Sequence, residues 1–106
     1  MTERPLPNGK VRIVPSLLAA DFADLSSSLS PLVKAGARWA SVDVMDGHFV
    51  PNLSFGPEAV RDLKGRGRVF LDAHLMVENP ERFGPLFARA GADWIMFHVE
   101  ACRSPR

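Results

Sequence analysis

Residues 41–52, SVDVMDGHFVPN, decide how this chain is read. The stretch starts as a short apolar strand, offers carboxylates at its C-terminal end, and passes into a loop punctuated by Gly47 and Pro51. Residues 71–77, LDAHLMV, repeat the layout. Side chains alternate along a strand, so Ser41, Asp43 and Met45 share one face, and Asp72, His74 and Met76 likewise share one. In parallel α/β barrels, acids and imidazoles at the C-terminal ends of strands form the catalytic rim. The chain therefore reads as an enzyme or part of one.

Working outward, residues 39–45 make the strand that carries Asp43, and residues 11–14, β-branched and stopped by Pro15-Ser16, predict a strand before it. Between them Asp21 is the expected cap of a helix with Phe22, Leu25, Leu29, Leu32 and Val33 at helical spacing, ending at Ala35-Gly36-Ala37. Pro31 is expected to kink that helix or restart it behind Ser30. Downstream, Pro57 opens a short helix to Lys64, which Gly65-Arg66-Gly67 ends. A third strand is expected over residues 69–76, and Asn79-Pro80 start a helix towards Arg89 whose middle should be irregular at Gly84-Pro85. A fourth strand is expected over residues 94–99. Ala35-Gly36-Ala37-Arg38-Trp39 returns as Ala90-Gly91-Ala92-Asp93-Trp94, each time linking a helix to a strand.

Strands alternating with helices imply parallel pairing, hence an α/β fold: an open doubly wound sheet or part of a parallel (βα) barrel. Four strands and three helices are about the first half of a TIM-type barrel, whose usual length is about 250 residues. Residues 1–10 read as a polar N-terminal arm and residues 11–106 as the folded unit.

The 106 residues are 46% hydrophobic, enough for one domain's core, and carry a formal charge of only +1 from 13 basic and 12 acidic side chains. Such a balance gives no long-range field for nucleic acid or an anionic membrane, so a phosphate would have to be bound locally. The single Cys102 makes no internal disulfide and reads as an incidental thiol. MTERPLPNGK lacks the apolar centre of a signal peptide, and no run approaches the ~18 apolar residues of a membrane span. A soluble, cytoplasmic protein is expected.

Asp43, His74 and Ser16 are the candidates to converge at the rim. A carboxylate near a cation serves as metal ligand and general base, and imidazole suits borderline divalent ions. Blander readings stand beside these. Asp43 or Asp46 would satisfy backbone donors in a strand-to-helix loop. His74 alone would be a hydrogen-bonded core histidine, and Met45, Met76 and Met96 would fill gaps in the core. His48 reads as a loop histidine, and His98 with Glu100 as a satisfied rim pair. Spacing by itself names no reaction.

VPSLLAADFADL (residues 14–25), VDVMDGHFVPNLSFGP (42–57), LDAHLMVENPERF (71–83) and AGADWIMFHVEA (90–101) together resemble the N-terminal half of ribulose-phosphate 3-epimerase. The resemblance implies a (βα)8 barrel of the pentose phosphate pathway that interconverts D-ribulose 5-phosphate and D-xylulose 5-phosphate with a divalent metal, be it zinc, iron, manganese or cobalt. It implies that Asp43 is both metal ligand and the acid/base acting at C3, that His74 is a second metal ligand near the substrate, that Ser16 contacts substrate, and that Met45 and Met76 wall the pocket. Two departures are plain. The family pattern has a ligating histidine where this chain has Ser41, and the 106 residues hold neither the family's second catalytic aspartate nor its phosphate-binding glycine-rich loops. Two other readings stay open: an epimerase of another ketose phosphate, or a non-catalytic half-barrel that forms a homo-oligomer through open sheet edges.

Overall fold

The strand of the decisive stretch is β1 (Trp39–Met45) in a computed structural model that describes residues 9, 11–66 and 69–103. With α1 (Leu25–Lys34) before it, the order continues α2 (Pro57–Lys64), β2 (Phe70–Met76), α3 (Pro80–Ala90), β3 (Trp94–Phe97) and a 3-10 turn at Val99–Ala101. Apart from Gly9, the N-terminal arm lies outside the described residues.

The three strands form one parallel sheet in the order β1-β2-β3. β1 pairs with β2 in a register that sets Asp43 opposite His74 and Met45 opposite Met76, and β2 pairs with β3 so that His74 faces Met96. One sheet face carries Ala40, Val42, Val44, Leu71, Ala73 and Leu75, all buried against Leu29 of α1, Val60 and Leu63 of α2, and Phe87 and Ala90 of α3. Alternation leaves the other face to Trp39, Ser41, Asp43, Met45, Phe70, Asp72, His74 and Met76. At the start of that face Trp39 packs on Phe70 and Trp94, with ring centroids 5.2 and 4.6 Å away.

Several expectations from the sequence are corrected. The first predicted strand is not one: residues 11–15 carry no regular structure, and only Ser16 bridges to Ser41 in parallel. Leu17 N–H donates to Ser41 O at 2.9 Å and Ser41 N–H to Pro15 O at 2.8 Å, and there the ladder stops. Val11 and Ile13 are 93% and 81% exposed, so their β-branched side chains have no packed surface to favour a strand. Among the described residues the sheet thus has three strands and a parallel bridge, not four strands. Next, α1 is capped by Asp24, which accepts from Ser27 N–H, while Asp21 accepts from Ala23 N–H in a turn ahead of it. Of the kink or restart expected at Pro31, the restart does not occur, since α1 runs through it, and α3 runs unbroken across Gly84-Pro85, each anchored by a fully buried side chain, Leu29 and Phe87 respectively. Finally, the last strand ends at Phe97, and Val99 belongs to the 3-10 turn.

The internal repeat is borne out. Gly36 and Gly91 follow α1 and α3 with φ of 96° and 115°, a left-handed conformation that glycine adopts without cost. After the second, the Asp93 carboxylate accepts from Lys64 Nζ and from Leu71 N–H, both at 2.8 Å, tying α2 and β2 to the start of β3. No helix among the described residues is long and apolar enough to cross a membrane.

Candidate active site

The C-terminal edge of the sheet gathers the side chains that alternation selected. Asp43, half-buried near the end of β1, accepts at Oδ1 from Ser41 Oγ at 3.3 Å and faces His74 Nδ1 at 3.0 Å. Its Oδ2 accepts from Ser16 Oγ, brought within reach by the bridge between Ser16 and Ser41. Ser16, Asp43 and His74, expected to converge, do so. Met45 and Met76, register partners one residue pair further on, stand half-buried beside them.

Two roles escape the sequence reading, which pairs His98 with Glu100 alone. His98, just past β3, lies with Nε2 2.9 Å from His74 Nε2, its ring stacked on that of His74 at 5.1 Å and 3.7 Å from Glu100 through Nδ1. The repeat held the signal: Asp43 stands four residues after Trp39, and His98 four residues after Trp94. The other is that of Ser54. Its hydroxyl donates to Asp43 O and accepts from Met45 N–H at 2.8 Å, so the loop after β1 folds back to clasp the strand end behind the carboxylate. Asp46, read as an acceptor for loop backbone, is that: it takes the N–H groups of His48, Phe49 and Glu78. His48 is an exposed loop residue.

The hydrogen-bond roles follow from what each group can do. A carboxylate oxygen accepts, so the bond to Asp43 places a hydrogen on His74 Nδ1, and Nε2 of His74 and Nε2 of His98 share a single hydrogen between them. The result is a row, Asp43 to His74 to His98, opening to solvent at Glu100. A row is not a coordination sphere. Among the described residues no group of three His, Cys, Asp or Glu side chains is placed to hold a metal ion.

Below the row, Asp72 is only 7% exposed and its Oδ1 has no hydrogen-bond partner among the described residues. Burial raises its carboxyl above the ordinary value of 3.8, His74 opposing and Asp43 adding to the shift. For Asp46 partial burial also works against ionisation, but the three backbone amides and His48 outweigh it and hold the carboxyl below 3.8.

Residues 12–106 match the model of the ribulose-phosphate 3 epimerase family. Among similar proteins, a ribulose-phosphate 3-epimerase of Mycobacterium leprae is 50% identical over 93 residues, covering 88% of this chain and 41% of that protein. One from Bacillus subtilis is 47% identical, covering 87% of this chain and 42% of the relative. The cytoplasmic isoform of Oryza sativa is 44% identical over 87% of this chain and 40% of its own length. The chain thus spans about two fifths of the relatives it matches.

Proposed function

Since the chain belongs to the ribulose-phosphate 3-epimerase family, we propose that it carries part of the catalytic rim of a 3-epimerase acting on D-ribulose 5-phosphate and D-xylulose 5-phosphate, with Asp43 as the base at C3. The observation that carries this reading is the setting of Asp43: a half-buried carboxylate at a strand end, approached by Ser16, Ser41 and His74. The order β1-β2-β3, flanked at Ser16 by a single parallel bridge, is what strands two to four of a (βα)8 barrel would show beside a first strand.

The chemistry needs a base beside a carbon made acidic by its neighbouring carbonyl, and donors for the charge that develops on oxygen. Asp43 takes the C3 proton, Ser16 and the Nδ1–H of His74 hold the carboxylate in place, and Met45 and Met76 form an apolar wall beside the planar intermediate. Inversion needs a proton delivered to the opposite face, whereas Asp46 is committed to three backbone amides and Asp72 is buried below the row. The resemblance implies a divalent metal ligated by Asp43 and His74. These two donors do not make a site by themselves, because even an open catalytic zinc takes three protein ligands. A ketopentose phosphate is the proposed substrate and the cytoplasm the proposed compartment, as for the rice relative named a cytoplasmic isoform.

The test is exchange of the C3 hydrogen of ribulose 5-phosphate in heavy water, with divalent metal added, comparing the chain with Asp43→Asn. Exchange by the wild type, lost by about 10²-fold or more in the variant, is expected of a general base. Equal rates in the two would remove Asp43 from the role. The second reading, a non-catalytic half that associates through its edges, draws on the exposed Met96, Phe97 and Val99 at the β3 end of the sheet.

A further inference from the structure

Asp46 is the acid of the decisive stretch that the proposed chemistry leaves unused. Its Oδ1 accepts from the backbone N–H of His48 and of Phe49, and its Oδ2 from that of Glu78, each at 2.9 Å. The first two amides belong to the loop between β1 and α2, the third to the loop between β2 and α3. One half-buried carboxylate thus holds two loops of the rim together. The backbone of Asp46 also bridges Leu53 in antiparallel fashion, which closes the first loop on itself, and Gly47 turns there with φ of 76°.

What this seats is Phe49. Its ring lies 5.2 Å from that of His98, which in turn lies against His74, the imidazole that faces Asp43. We infer that Asp46 is a positioning residue of the rim: by holding the backbone of both loops at once it fixes Phe49 over His98 and so keeps His98 bonded to His74. An ionised carboxylate suits the task, because it only accepts and has two oxygens for three donors. Asparagine keeps one acceptor for the pair on its own loop but turns an N–H2 towards the amide of Glu78. Alanine keeps neither. The inference deepens the epimerase reading and rests on it for the chemical meaning of the row of imidazoles, not for the geometry.

The experiment is NMR on the isotope-labelled chain as wild type, Asp46→Asn, Asp46→Ala and Phe49→Ala. In Asp46→Asn the amide of Glu78 is expected to exchange about tenfold faster or more, that of Phe49 to stay protected, and the ring signals of His98 and His74 to move. Phe49→Ala should move the same ring signals and leave the Glu78 amide as it was. Faster exchange at Glu78 with unmoved ring signals would overturn the inference, since Asp46 would then join loops and position nothing. Unchanged exchange at Glu78 would overturn it too, as would unfolding of Asp46→Asn, which would make the carboxylate a support of the whole fold. C3 exchange recorded on the same wild-type sample separates the two claims: its absence defeats the epimerase reading and leaves the outcome at the rim intact.

Discussion

At Asp72 the surroundings oppose the charge that the side chain carries in water. Its folded pKa is raised, so the native state binds the proton more tightly than the unfolded chain does. That contribution is present below the unfolded value, near the ordinary 3.8, and is lost as pH rises through the folded value. Asp72→Asn, which removes the charge and nearly keeps the shape, is therefore expected to melt several degrees higher than wild type at pH 7, with the gap narrowing towards pH 4. Thermal melts across that range check it, and a gap independent of pH would contradict it. Asp43, His74 and Ser16 could be read in advance because period-two alternation and strand ends are local properties of sequence. His98 could not be told from a solvated rim histidine until the pairing of β2 with β3 brought it to His74. Ser54 was hidden for a different reason, since its hydroxyl serves backbone groups across the loop and small polar residues in loops are too common to stand out.

Among the elements, the helix-to-strand connections were the most legible, because a left-handed cap calls for glycine and both copies of the repeat supply it. They differ in what surrounds them. A Cβ built on Gly91 would come 3.1 Å from Lys64 Cγ, whereas one on Gly36 meets nothing within 4 Å. Gly36→Ala is expected to lose about 1–2 kcal/mol from left-handed strain alone, and Gly91→Ala more than that, because Lys64 must also shift from its ion pair with Asp93. Denaturant unfolding of the two variants gives the comparison, and equal losses would remove Lys64 from the account. The prolines were read less well. Pro31 and Pro85 each remove one helical hydrogen bond, a local penalty that sequence displays, while the burial of Leu29 and Phe87 that holds the helices together is visible only once the sheet is assembled. The same holds at residues 11–14, where β-branched composition promised a strand and the exposed backbone bears only the bridge at Ser16.

On the scale of the whole molecule, the helices cover one face of the sheet, and β3 has a strand partner on one side only among the described residues. Met96 and Phe97 on that strand are 48% and 52% exposed, with Val99 just beyond at 60%. Trp39 Nε1, like Asp72 Oδ1, is buried without a hydrogen-bond partner among the described residues, on the sheet face away from the helices. An unblunted edge of this kind favours pairing with another chain. Sedimentation velocity is expected to show association that grows with concentration and weakens in Phe97→Lys, which puts a charge on the edge. A monomer at every concentration would count against association through β3.

The repeat has a consequence of another kind. Its two copies use the same glycine cap and the same tryptophan, yet the position four residues on is an aspartate in one and a histidine in the other, on one edge with His74 between them. A gene that duplicated such a module would obtain two seats for reactive groups already aligned by the inherited backbone. Each seat could then diverge in chemistry by a single codon change, leaving the architecture that presents it untouched.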